Sequence, residues 1–305
     1  MEIVDMDLKT VLVVVDPTSE NDALLERAVM IGTCFNARLE LFVAEHRGVL
    51  EPSYPLEAAS LEAAMQGLVT SKQQWLDAYV ERLTQAGVQV TTEVRWARHL
   101  YDAVLERADE IQADLILKET HQHSLLKRAL FTNTDWHLMR ETSRPIWFVK
   151  REHVWNARRR LLAAVDPVHA REKSPELDLR ILEIAKLMAT HLPAELHVVH
   201  AYEVAPTGLM AEFDTLIKDF PSYRREVMKR HRTALENLMA TAAPEAISYL
   251  EDGVPERVLP QFVNRNAIDL TVMGAVSRSG VDRILIGSTA ERVLDNLESD
   301  ILVVR

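Results

Sequence analysis

Four short segments in the second half of the chain carry residue types suited to phosphate chemistry. In "IGSTAERV", Gly287 precedes Ser288 and Thr289 at the opening of an apolar-periodic stretch. A glycine there permits unusual backbone angles and close approach of a ligand. The first N–H groups of the following helix lie at the positive end of its dipole, which favours an anion. The two hydroxyls add hydrogen bonds, and Ser288 with Glu291 three residues on reads as a capping box. Upstream, "VMGAVSRSG" places Gly274 at a strand end and supplies Arg278, with Arg283 a little further on. "AVDPV" ends a strand in Asp166, and "VVHAY" ends another beside His200. Isolated caps and turn glycines are common, so none of these segments assigns a site alone.

Other chemistry-bearing residues are weaker signals. His121 and His123 in "THQH" sit in a loop at a spacing that could bring both rings to one ion, with His99 or His137 as a third ligand. A zinc site needs three or four ligands with outer support, and the plainer interpretation is two solvated loop histidines. His197 and His200 share one strand three residues apart, so they face opposite sides and pack separately. The single cysteine, Cys34, forms no internal disulfide and reads as a small buried hydrophobe. Trp75, Trp96, Trp136, Trp147 and Trp155 all fall in or beside the first half and read as core or interface. The stretch Ser222–Ala242 carries Arg224, Arg225, Lys229, Arg230 and Arg232, a solvated basic helix face. No G-x-S-x-G elbow, HExxH pair or Walker A sequence occurs.

The elements that must position these residues repeat. "TVLVVVDPT" at Thr10–Thr18 has its counterpart in "RLLAAVDPV" at Arg160–Val168, and "ARLELFVAEH" at Ala37–His46 matches "AELHVVHAYE" at Ala194–Glu203. The stretch from Asp114 to Lys150 aligns without a gap on Asp269 to Arg305. Hydrophobic periodicity predicts, in the first copy, strands over 10–16, 38–44, 88–95, 113–118 and 145–150, with helices over 20–35, 59–86, 98–111 and 134–141. In the second it predicts strands over 160–166, 194–201, 246–250, 268–273 and 300–305, with helices over 175–190, 222–242, 254–265 and 289–297. Alternating strands and helices imply right-handed crossovers and a doubly wound parallel sheet in each copy. Ligands then bind beyond the carboxyl ends of the strands, at the switch in strand order, which is where the four segments end. The boundary falls in the polar stretch Arg151–Asn156, giving domains 1–153 and 154–305, and "RGVLEPSYPLE" and "EVAPTGLMAEF" form equivalent long loops.

The spacing Gly274, two residues, Ser277, nine residues, Gly287-Ser288 resembles the Gly-x2-Gly-x9-Gly-(Ser/Thr) nucleotide signature of the universal stress protein family. Asp166, "GVPERVL" at Gly253–Leu259 and the final "ILVVR" also fit, and "THQHSLLKRALFTNTDWHLMRE" is similar to the tandem E-type subgroup. The resemblance covers essentially the whole chain. It implies two tandem flavodoxin-like (adenine nucleotide alpha hydrolase-like) α/β domains, each a doubly wound five-stranded parallel sheet. It implies further that the second binds ATP with accompanying Mg²⁺ through Asp166, Val198, Met273, Gly274, Ser277, Arg278, Gly287, Ser288 and Thr289. Ser277 departs from the signature, standing in place of its second glycine. In the first copy Glu119, Gln122 and Thr132 replace Gly274, Ser277 and Gly287. A carboxylate at 119 repels phosphate, so the first copy is expected to be structural or to take another ligand.

Composition narrows the function classes. The 305 residues carry a net charge of −11, which disfavours nucleic-acid binding and docking on anionic lipid. The apolar fraction of 48% supports true cores. The N-terminus lacks a signal-peptide pattern and no apolar run spans a membrane, so the expected compartment is the cytoplasm. The expected function is a stress-response nucleotide-binding and signalling protein. A slow ATPase or phosphotransferase using the Ser288/Thr289 region, and a chaperone-like structural dimer with vestigial sites, remain alternatives. Each copy ends in an apolar strand whose open edge needs cover, so an internal pseudo-dimer through Pro145–Lys150 and Asp300–Arg305 is expected, with association of two chains besides.

Overall fold

The computed structural model describes residues 7–45, 58–123, 128–150, 153–168, 175–205, 217, 219–274 and 286–305. They form two compact units that part between Glu152 and His153.

The first unit runs β1 (Thr10–Val14), α1 (Asp22–Phe35), β2 (Arg38–Glu45), α2 (Ala58–Gln85), β3 (Val90–Trp96), α3 (Leu100–Glu110), β4 (Leu115–Glu119), a small hairpin of β5 (His121–His123) and β6 (Arg128–Leu130), α4 (Asn133–Glu141) and β7 (Ile146–Val149). Its sheet has the order β3-β2-β1-β4-β7, with every pair parallel; Val11 lies opposite both Leu39 and Leu115. Helices α1 and α2 pack together on one face and α3 and α4 pack together on the other. That double cover explains why the central strands TVLVV and LILKE are buried almost from end to end.

The second unit repeats the plan with β8 (Arg160–Ala164), α5 (Pro175–His191), β9 (Glu195–Tyr202), α6 (Phe220–Ala242), β10 (Ile247–Asp252), α7 (Pro255–Asn266), β11 (Leu270–Gly274), α8 (Ser288–Asn296) and β12 (Asp300–Val304). Its order is β10-β9-β8-β11-β12, again all parallel. The chain is thus two tandem flavodoxin-like, doubly wound α/β units. In both, the order reverses between the first and fourth strands, which opens the crevice where such sheets take ligands.

The gapless alignment of the two copies has a structural counterpart. Asp114, just before β4, accepts the N–H groups of Lys9 and Thr10 at 2.9 and 2.8 Å. Asp269, just before β11, accepts those of Asn156 and Arg160 at 2.7 and 2.8 Å. Each carboxylate clamps the amino end of its unit's first strand and fixes the register of the central pair. Trp147 is fully buried in β7. The basic residues of α6 that the sequence singles out are exposed. Among the described residues no helix is long and apolar enough to cross a membrane.

Candidate functional site

At the carboxyl rim of the second unit, β8, β9 and β11 end side by side. Ala164 lies opposite Val199 and Met273, so Asp166 and Gly274 follow on neighbouring strands. A crossover helix runs antiparallel to its strands, which brings the start of α8 to the same rim. The Asp166 main-chain N–H donates to Asp178 Oδ1 at 3.1 Å, and its side chain is about half exposed (46%).

Gly287 is the N-cap of α8, with φ −67° and ψ 147°. These are ordinary extended angles, so the backbone does not require glycine; the missing side chain matters only for what approaches. Helix α8 begins at Ser288, which makes Ser288 the first helical residue instead of the cap. The capping box expected of Ser288 and Glu291 is therefore not formed, because the cap position belongs to a residue without a side chain. Ser288 and Thr289 are exposed, and Ala290 at the third position has no carboxylate to reach back. The first-turn N–H groups, which have no intrahelical acceptor, face the rim.

Two other residues that the sequence assigns to this site have buried side chains. Val198 is 0% exposed in mid-β9, paired with Ala163 and Ser248, four residues before the strand ends at Tyr202. Met273 is likewise enclosed, one residue before Gly274. Ser277, Arg278 and Arg283 lie outside the described residues, as do most of the two long loops. Gly274 answers to packing: a Cβ there would stand 2.7 Å from Leu177 Cδ2 and 3.2 Å from Ile181 Cδ1, both on α5. Gly274→Ala is accordingly expected to cost about 1–3 kcal/mol by overpacking. Chemical denaturation should show that loss shrinking when Leu177→Ala is added; an unchanged loss would mean the glycine serves something other than α5.

Sequence reasoning missed a histidine pair beside Asp166. His200 is buried, its Nδ1 3.2 Å from the Val165 carbonyl and its Nε2 2.7 Å from His231 Nδ1 on α6. The carbonyl can only accept, so Nδ1 of neutral His200 carries the proton and Nε2 accepts from His231. His197, facing the other side, stacks on Tyr249 near Phe262, as its spacing from His200 implies. Burial, the largest influence, pulls the His200 and His231 pKa values down, against the opposing pull of Asp166 on both and of Asp178 on His200. The sign follows from linkage. The unfolded chain binds protons near the ordinary value of about 6.5 and the folded one only at lower pH. Stability is therefore expected to fall as pH drops through about 6.5. Melting curves between pH 7.5 and 5 should show this, with a smaller fall in His231→Gln; parallel curves would refute it.

At the equivalent rim of the first unit, the start of α4 is capped by side chains of its own. Thr132 caps α4, and Asp135 completes a reciprocal capping box: Thr132 N–H donates to Asp135 Oδ2 at 2.7 Å and Asp135 N–H to Thr132 Oγ1 at 3.2 Å. Lys118 Nζ lies 2.8 Å from Asp135 Oδ1. Glu119, the counterpart of Gly274, is buried and accepts a hydrogen bond from Ser19 Oγ at 2.8 Å. Asp16 turns its carboxylate onto its own loop, accepting from Thr18 N–H and Oγ1 at 2.8 and 2.7 Å. A cavity of about 270 Å³ at this rim is lined by Asp16, Thr18, Glu45, Lys118 and Glu119 among others. Buried carboxylates along such a wall repel a triphosphate. A cavity of about 610 Å³ in the second unit lies at the amino ends of β9 and β10, the rim away from the strand-order crevice.

The backbone of His121 and His123 forms β5 instead of the expected loop, and their side chains lie outside the described residues. His99 and His137 each stack on Tyr101, with ring centroids 5.6 and 4.3 Å apart. Among the described residues no three His, Cys, Asp or Glu side chains group to hold a metal.

Comparison with known proteins agrees with this architecture. The family described as "Universal stress protein family" matches residues 7–150 and again 157–305. The chain is 29% identical to Universal stress protein E of Escherichia coli K12 over 306 residues, covering 97% of this chain and 94% of that protein. It is 26% identical to a Universal stress protein E homolog of Haemophilus influenzae, covering 98% of each. A solved protein of unknown function from Pseudomonas aeruginosa PAO1 superposes with a TM-score of 0.73 at 26% identity, over 98% of this chain and 93% of that one. A universal stress protein from Archaeoglobus fulgidus superposes with a TM-score of 0.69 at 14% identity, over 97% and 98%, and so shares the fold. Two family matches in succession, on two units of one topology, show that this chain belongs to the universal stress protein family, with two of its domains in tandem.

Proposed function

We propose that the second unit binds an adenine nucleotide, ATP with its Mg²⁺, at the rim formed by Asp166, Gly287, Ser288 and Thr289, and that the first unit does not. Occupancy of the second unit then serves as the signal in a stress response. The observation that carries this reading is the contrast between the two helix starts. Helix α8 opens on Gly287 and Ala290, and α4 opens on a capping box tied to a lysine. The position of α8 beside the strand-order switch supports it. In this reading the half-exposed Asp166 carboxylate accepts hydroxyl hydrogen bonds from the ribose, and the exposed hydroxyls of Ser288 and Thr289 donate to phosphate.

Native mass spectrometry of freshly purified, full-length protein tests the proposal. One retained nucleotide per chain is the expected result. Two equivalent nucleotides would overturn the asymmetry. A chain that neither retains nor rebinds ATP would overturn the reading altogether, and turnover of added ATP would make the second unit an enzyme.

A further inference from the structure

The first unit contains a buried lysine at its carboxyl rim. Lys118 is 5% exposed, and besides its contact with Asp135 it donates to the Glu119 carbonyl at 3.0 Å. Asp135 is 0% exposed. One of its oxygens faces the Lys118 ammonium at 2.8 Å; the other accepts the Thr132 N–H at 2.7 Å and the Thr132 hydroxyl at 2.8 Å. A main-chain N–H at a helix start, a hydroxyl and an ammonium are the donors with which proteins hold phosphate. Here all three converge on a carboxylate of the same chain.

The second unit has neither charge at these positions. By the gapless alignment, Lys118 corresponds to Met273 and Asp135 to Ala290, both buried. A buried ion pair adds little net stability over a well-packed apolar pair, because desolvation offsets the attraction. The second unit shows that the fold accepts the apolar version, so packing alone does not call for the charged one.

We infer that Asp135 is a built-in anion of the first unit, held by Lys118 and the α4 start in the place where a phosphate would dock, and that this pair bars phosphorylated ligands from that unit. The inference rests on the proposed role of α8 for its analogy, but its test is confined to the first unit.

The test uses the full chain carrying Gly287→Val, which silences the second rim, with inorganic phosphate as the probe and chloride of matched ionic strength as the control. Adding Asp135→Ala is expected to lower the melting temperature, because Lys118 is left without its carboxylate. Millimolar phosphate should then raise it again by several degrees and show saturable binding in ³¹P line widths, whereas the Gly287→Val parent should respond to neither. If Asp135→Ala does not fold in chloride, phosphate in the refolding buffer should restore folding. A variant as indifferent to phosphate as its parent, or one that phosphate cannot refold, overturns the inference. A Lys118→Met, Asp135→Ala variant, which copies Met273 and Ala290, is expected to stay folded and to ignore phosphate. If it binds phosphate as well as Asp135→Ala does, Lys118 has no part in the site and the inference falls. Failure here would leave the nucleotide reading of the second unit standing, since that reading depends on whether Gly287→Val loses ATP.

Discussion

Replacing Gly287 with valine is expected to weaken ATP binding by the full-length protein at least about 100-fold, roughly 2.8 kcal/mol. The backbone at Gly287 has φ −67° and ψ 147°, a region in which valine is at home, so the substitution should not strain the fold. What it adds is a branched side chain at the N-cap of α8, where, in the proposed reading, the first-turn N–H groups reach phosphate. Thr132→Val, the matching change in the first unit, is expected to leave ATP affinity unchanged. It should instead cost about 1 kcal/mol of stability, because the Thr132 hydroxyl caps α4. Titration calorimetry on protein stripped of nucleotide measures the first effect and denaturant unfolding the second. Equal loss of affinity from both changes, or two equivalent ATP sites, would sink the asymmetric reading.

The largest stability effect is expected at Lys118. Lys118→Met leaves Asp135 as a fully buried carboxylate without its cation, which typically costs about 3–5 kcal/mol. Adding Asp135→Ala removes the stranded charge and installs the pair that the second unit already packs. The double variant should recover most of the loss, short of about 1 kcal/mol for the capping box that goes with Asp135. A double-mutant cycle followed by urea unfolding of the transition that belongs to the first unit gives the coupling directly. Simple additivity of the two single changes would mean that the 2.8 Å contact contributes nothing.

Much of the architecture was legible from periodicity. All nine elements anticipated in each copy form, with ends shifted by a few residues; β1, for instance, stops at Val14, short of the Asp16-Pro17 turn. The hairpin β5–β6 escaped because three-residue strands leave no period to detect, and "THQH" carries the polarity of a loop. Asp166, Gly274 and Gly287 stand out in the sequence because strand and helix ends have their own residue types. Val198 and Met273 were carried over from the family resemblance, and the packing of this chain encloses both in its core. The cap of α8 was misplaced by one residue, since "GST" offers both a glycine and a serine and only the path of the chain decides between them.

The sequence by itself determined the repeat, the alternation of strands and helices, and the residues at which the strands end. Each of these depends on near neighbours along the chain, and hydrophobic periodicity reports near neighbours faithfully. Periodicity tells which residues face inward but not what they meet there. Only the tertiary structure decided that Lys118 meets Asp135, that His200 meets His231, and that Gly274 makes room for Leu177. Each of these pairs joins two elements whose relative position is set by the docking of a helix on a sheet. The starts of α4 and α8 differ in the same way, since the Asp135 that caps α4 also meets Lys118 on β4, and the aligned positions of the second unit hold Ala290 and Met273.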